Sequence, residues 1–125
     1  LARHIAPFIG DIRASELLHF PVKNLYETGA NVVLSSDWTV NPISPMNTIS
    51  YVVEEGSLTI EQAIDAYTIK AAHALGLETV TGSIEVGKSA DFAMLTTDIT
   101  KATPEQIRAS KVIATFLQGK RVYQK

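Results

Sequence analysis

Cysteine is absent from the 125 residues, which excludes disulfides, thiolate metal sites and a cysteine nucleophile. Charge of one sign is never concentrated. The 11 basic and 13 acidic side chains are interspersed and leave a net charge of -2, which speaks against a nucleic-acid footprint or a polybasic membrane patch. No apolar run approaches the roughly 20 residues that a bilayer-spanning helix needs. Leu1–Gly10 lacks the ordered charged, apolar and small-residue blocks of a signal peptide. Histidine is scarce: His4, His19 and His73 form neither an H-x-H nor an H-x-x-x-H pair, so each is read as a packed or surface side chain rather than a metal ligand. There is no G-x-S-x-G nucleophile motif either.

What is present is an ordinary core-forming composition, 46% hydrophobic and 19% charged, at a one-domain length. The chain begins at leucine, and the expectation is a segment of a longer protein. Its first half reads as helix, strand, helix, helix. Pro21 suits a first helical position, with Val22, Leu25 and Tyr26 behind it and Gly29 placed to stop the helix. Val32, Val33 and Leu34 make Asn31–Ser36 a strand expected to be covered on both faces, as in a parallel sheet. Ser44 and Pro45 start a helix whose buried face is Ile49, Val52 and Val53. Thr59 with Gln62 forms a capping box, and helical spacing continues through Ala63, Ile64, Tyr67, Ala71 and Leu75 until Gly76. Beyond Glu78–Thr81 the period changes: Phe92–Thr96 and Lys111–Leu117 read as strands, separated by a short helix capped by Thr103. Gln118-Gly119-Lys120 reads as a hairpin turn into Arg121–Tyr123.

Gly82–Ser89 matches the phosphate-loop pattern G-x-x-x-x-G-K-S/T. The nucleotide reading puts Lys88 on the phosphates and Ser89 on magnesium. It requires a buried strand before the motif and a helix after it, whereas Glu78–Thr81 is polar and Ser89–Leu95 reads as turn then strand. The alternative is a pair of glycine turns between short strands, with Lys88 in solvent.

Asp37 follows the strand Asn31–Ser36, and functional side chains gather at the C-terminal ends of strands in parallel α/β architectures. A carboxylate there suits metal coordination or proton transfer. It equally suits a loop cap bonded to local backbone amides. Position alone leaves both open.

An ordered set of segments carries a resemblance. It comprises Phe20–Leu25, Thr28–Val32, Ser36-Asp37-Trp38, Ala66–Ala72, Gly82–Phe92 and Phe116–Tyr123. Together these resemble the C-terminal part of amidohydrolase-superfamily enzymes, in the amidohydrolase family 3 branch that includes exoenzyme-regulatory-protein-like chains. The resemblance implies an α/β fold in two parts. Residues 1–77 would be the last αβ unit of a TIM barrel with its trailing helices, and residues 78–125 the C-terminal strands of a composite β-sandwich. A whole barrel takes roughly 250 residues, more than this chain has. It further implies that Asp37 binds the catalytic divalent metal, zinc by family habit, and acts as general base toward a non-peptide C–N bond. The implied partners are a small amide or N-acyl substrate and the remainder of its own chain, with neither nucleic acid nor membrane. The remaining ligands would lie upstream, so the segment alone is expected to be inactive, with uncovered apolar surface that favours self-association. Two departures stand out: Ser35-Ser36-Asp37 replaces the family's frequent Gly-Ser-Asp, and the linker Val53–Leu58 is short. The alternatives are a phosphate-loop nucleotide-binding domain at Gly82–Ser89 and a non-enzymatic regulatory or interaction module. Compartment is left open between cytoplasm and periplasm.

Overall fold

A computed structural model describes residues 21–125, so His4 and His19 lie outside the described residues. Helix α1 (Val22–Glu27) starts after Pro21, and Gly29 follows it with a positive φ of 80°. Helix α2 (Pro45–Glu54) has proline in its first turn, where the missing N–H costs nothing. Ser44 holds the N-cap position but makes no side-chain cap bond. The buried face of α2 is Met46, Ile49, Ser50 and Val52, with Val53 half-buried against the same cluster. Ser50 can be buried because its hydroxyl donates to the Asn47 carbonyl at 2.9 Å.

Helix α3 (Ile60–Tyr67) opens with the expected capping box. Gln62 N–H donates to Thr59 Oγ1 at 3.2 Å, and Thr59 N–H donates to Gln62 Oε1 at 2.9 Å. The helical spacing that runs on to Leu75 does not give one helix: the backbone breaks at Thr68, and α4 (Ile69–Ala74) follows. The Thr68 hydroxyl donates to the Ile64 carbonyl at 2.8 Å, occupying the acceptor that a continuing helix would leave to its amide. Helix α4 ends in a Schellman motif, with Gly76 N–H on the His73 carbonyl at 3.0 Å and Leu77 N–H on the Ala72 carbonyl at 2.8 Å. Gly76 has the positive φ, 69°, that this motif requires.

The expected strand Asn31–Ser36 is not a strand of any sheet: no described strand lies beside it. Strand structure is defined by a partner's ladder, and this run instead docks on the helix break. Leu34 N–H donates to the Ala66 carbonyl at 3.3 Å and Asn31 Nδ2 to the Lys70 carbonyl at 3.0 Å. Burial still alternates with period two: Val32, Leu34 and Ser36 are half-buried while Val33 and Ser35 are exposed. One face is therefore open, in contrast to the two covered faces that the apolar run suggests.

The second half holds strand β1 (Phe92–Leu95), helix α5 (Pro104–Ala109), and strands β2 (Val112–Leu117) and β3 (Lys120–Gln124). They form one antiparallel sheet in the order β1-β2-β3. Gln118 and Gly119, with φ of 51° and 75°, make the two-residue hairpin loop that a pair of left-handed residues favours. Phe92 lies opposite Phe116 with ring centroids 4.6 Å apart. Helix α5 has its own capping box from Thr103 and Gln106 and packs on α2. Its Ile107 is fully buried among Met46, Ile49, Val52, Leu58 and Ala63, and Arg108 forms an ion pair with Glu54 at 2.6 Å. Residue 77 falls between α4 and the turns leading to β1, and the apolar core is shared across it. Among the described residues no helix is long and apolar enough to cross a membrane.

Candidate functional site

Two segments rich in chemistry-bearing residues come out of the sequence, and the fold treats them differently. At the first, Asp37 terminates the alternating run Asn31–Ser36. It adopts the left-handed region, φ 49°, which aspartate tolerates better than most residues. Its N–H donates to Ser35 Oγ at 3.3 Å, and its carbonyl accepts from Val40 N–H at 2.7 Å, closing a turn over Trp38 and Thr39. The Asp37 side chain is exposed, and no hydrogen bond joins its carboxylate to another described residue. Among the described residues, the side chain of Asp37 caps no backbone amide, and it is the backbone of Asp37 that builds the turn.

At the second, every polar side chain of the phosphate-loop pattern is engaged within the chain. Lys88 Nζ donates to Ser83 Oγ at 2.6 Å and sits 3.4 Å from Glu85 Oε1, and its side chain is only 13% exposed. The Ser83 hydroxyl and then Lys88 hold the Glu85 carboxyl below its ordinary range. Ser89 Oγ donates to Asp91 Oδ1 at 2.9 Å. No helix follows Ser89, since the chain passes into β1, so no helix N-terminus faces a phosphate. That removes the structural context of the nucleotide alternative. It also corrects the expectation of a solvated Lys88.

Sequence reasoning did not pick out Asp91, which ties this region together. Its carboxylate accepts from the Gln118 backbone N–H at 2.7 Å, from Ser89 Oγ, and from Thr81 Oγ1 at 2.9 Å. These bonds, led by that of Gln118, depress its pKa against an opposing push from desolvation. Gly119 N–H donates to the Ala90 carbonyl at 3.0 Å beside it, fastening the β2–β3 turn to the glycine turns. The Ser89-x-Asp91 spacing is the signal that was available. Gly82 is the other anchor. A Cβ there would lie 2.6 Å from Ala72 Cβ and 3.1 Å from Ile69 Cα, and its φ is 94°.

His73 is exposed, with Nδ1 3.6 Å from Glu78 Oε1, as expected for a surface histidine. A depression of about 390 Å³ between α1 and the α2–α3 loop is lined by Lys23, Tyr26, Glu27, Thr59 and Gln62. Asp37 does not line it. Among the described residues no three His, Cys, Asp or Glu side chains form a metal-binding group.

Comparison with known proteins gives a consistent set of relatives. The model of the amidohydrolase family matches residues 2–123. Imidazolonepropionase of Acinetobacter baumannii is 46% identical over 77 residues, which is 58% of this chain and 19% of that protein. N-substituted formamide deformylase of Arthrobacter pascens is 30% identical over 111 residues, 80% of this chain and 20% of that protein. The chain thus spans about a fifth of the length of these curated relatives. Among solved structures, an amidohydrolase from Thermotoga maritima superposes with a TM-score of 0.70 at 24% identity, covering 83% of this chain and 26% of that one. E. coli guanine deaminase superposes with a TM-score of 0.66 at 18% identity, covering 85% and 30%. These two likenesses are of fold, and they agree with the small α/β architecture described above. With the family model matching nearly the whole sequence, the chain belongs to the amidohydrolase family.

Proposed function

We propose that this chain is the C-terminal part of a metal-dependent hydrolase that cleaves non-peptide C–N bonds, with Asp37 as metal ligand and general base. The observation that carries the reading is the Asp37 carboxylate. It is exposed and free of bonds to other described residues, and it stands in a backbone turn at the end of the alternating Asn31–Ser36 run. In this proposal residues 1–77 belong to the barrel and residues 78–125 to the sandwich.

A carboxylate oxygen is a suitable donor for a divalent ion, zinc in this proposal, and Asp37 is the residue among those described that would hold it. A catalytic zinc takes about three protein ligands, so the others would come from beyond the described residues. When bound, the ion supplies a Lewis acid that polarises the scissile carbonyl and acidifies water. The role of Asp37 is to accept a proton from the attacking water as the C–O bond forms. It then delivers that proton to the leaving nitrogen as the C–N bond breaks. An exposed carboxylate, which takes up a proton in the first transfer and releases it in the second, suits both roles. The named relatives, an imidazolonepropionase and an N-substituted formamide deformylase, point to small amide-like substrates.

The test is an assay of the full-length protein with zinc against N-acyl amino acids and N-substituted formamides, comparing wild type with Asp37→Asn. Retention of full activity in the variant overturns the role of Asp37. The 125-residue chain alone is expected to hydrolyse none of them. It is also expected to self-associate through exposed apolar side chains such as Val33, Trp38 and Ile43. A monomer in sedimentation at micromolar concentration would count against that.

A further inference from the structure

We propose that Asn31 is a positioning residue for Asp37: it ties the Asn31–Ser36 run across the break between α3 and α4 and so fixes where the carboxylate stands. This rests on the reading of Asp37 above. The break supplies the seat. Helix α3 ends at Thr68, whose φ of -123° and ψ of -97° leave the helical region. The last turn of a helix leaves its carbonyls without intrahelical partners. Here the Ile64 carbonyl accepts from the Thr68 hydroxyl at 2.8 Å, and the Asp65 carbonyl accepts from Thr68 N–H at 3.1 Å. The Ala66 carbonyl accepts from Leu34 N–H at 3.3 Å. Ala66 is fully buried, where an unpaired carbonyl is costly, so the run completes the helix end just as the helix end holds the run.

One bond alone would leave the run free to swing about Leu34. The second comes from Asn31, whose Nδ2 donates to the Lys70 carbonyl at 3.0 Å. Its acceptor lies on α4 and that of Leu34 on α3, so the two bonds straddle the break. Lys70 is held in turn, with Nζ 4.8 Å from the centroid of the Tyr26 ring on α1. Among the described residues no sheet ladder supports the run. Its line is therefore set by these two bonds together with the half-buried Val32, Leu34 and Ser36. Asp37 stands three residues beyond Leu34, about 10 Å along an extended chain. Its N–H on Ser35 Oγ and its carbonyl on Val40 N–H fix the turn relative to the run. A change of direction at Asn31 is carried along this arm to the carboxylate, and a proton-transferring group tolerates little misplacement. The role assigned to Asn31 is thus exerted through Asp37.

The experiment compares wild type, Asn31→Ala, Asp37→Asn and the double variant in the full-length protein with zinc. It measures kcat and KM for the N-substituted formamides and N-acyl amino acids assayed above, hydrogen exchange of the backbone amides of residues 32–40, and the melting temperature. Asn31→Ala is expected to lower kcat about tenfold with KM nearly unchanged. It should also speed exchange in residues 32–40 by about tenfold while leaving the melting temperature near that of wild type. In the Asp37→Asn background the same substitution should change kcat by less than about twofold, because the group that it positions is gone. An equal loss of kcat in both backgrounds overturns the inference, as does a melting temperature that falls while exchange rises throughout the protein. Wild-type kcat in Asn31→Ala, with Asp37→Asn inactive, overturns the inference and leaves the Asp37 reading standing. Should wild type hydrolyse none of these amides, or Asp37→Asn keep full activity, the hydrolase role of Asp37 falls and exchange alone decides. Faster exchange confined to residues 32–40 then keeps Asn31 as the anchor of the Asp37 turn, and unchanged exchange ends the inference.

Discussion

The Asp37 turn and the Gly82–Asp91 turn are both short and glycine- or serine-bordered, and both carry acids, yet they stand at opposite ends of a scale of internal satisfaction. In the Gly82–Asp91 turn, lysine, serines and acids are bonded to one another, and Asp91 accepts three hydrogen bonds. In the Asp37 turn the backbone is held and the carboxylate is bonded to no described residue. A polar group that a fold has already satisfied stabilises it and has little capacity left for a ligand. One left unsatisfied at a fixed position contributes little stability and remains available for chemistry. The more motif-like of the two segments is thus the structural one.

The comparison breaks first at Asp37. In the full-length protein Asp37→Asn is expected to lower kcat by roughly 10²–10⁴ fold, the usual span for a general base, while leaving the thermal unfolding midpoint close to wild type. A large loss of stability with modest loss of rate would reverse the assignment of the two turns. Gly82→Ala should do the opposite. The added methyl meets Ala72 and the α4 backbone at a positive φ, so a cost of about 2–4 kcal/mol is expected in urea denaturation.

Thr59→Ala removes an N-cap acceptor at α3 and should cost about 1 kcal/mol by the same measurement. For Asp91, the pKa is lowered in the fold, so its stabilisation is fully present above the unfolded-state pKa of about 3.9. As pH falls through the lower folded value, that stabilisation is lost. The denaturation midpoint of wild type should therefore drop on acidification more steeply than that of Asp91→Ala, and parallel curves would show that Asp91 is not the pin. The smallest effect is expected from ATP with magnesium: equilibrium dialysis should show no saturable binding, since Lys88 and Ser89 are engaged elsewhere. Saturable binding would mean that the bonds within Gly82–Asp91 give way to a phosphate.

Local chemistry made much of the fold legible in advance. The Thr59–Gln62 box, Pro45 in the first turn of α2, Gly76 after α4 and the Gln118-Gly119 loop each act within about one turn of chain. The break at Thr68 was not legible, because apolar spacing continues through it, and because the Ala66 and Lys70 carbonyls around it accept from Leu34 and Asn31 more than 30 residues away. At the site, Asp37 was legible as a position. That its carboxylate bonds to no other described residue, while those of Asp91 and Glu85 are engaged, was not.

By itself the sequence determined the helix starts and stops other than the break at Thr68, the hairpin, the absence of cysteine from these 125 residues and the place of a lone acid after an apolar run. These depend on backbone preferences and on bonds between near neighbours, which residue type and spacing encode directly. Only the tertiary structure decided that Lys88 is held by Ser83 and Glu85, that Gly82 has no room for a side chain, and that Asn31–Ser36 docks on a helix break. Each of those outcomes depends on which groups meet across the fold, and a hydrogen-bonding group's role is set by the partner it finds there.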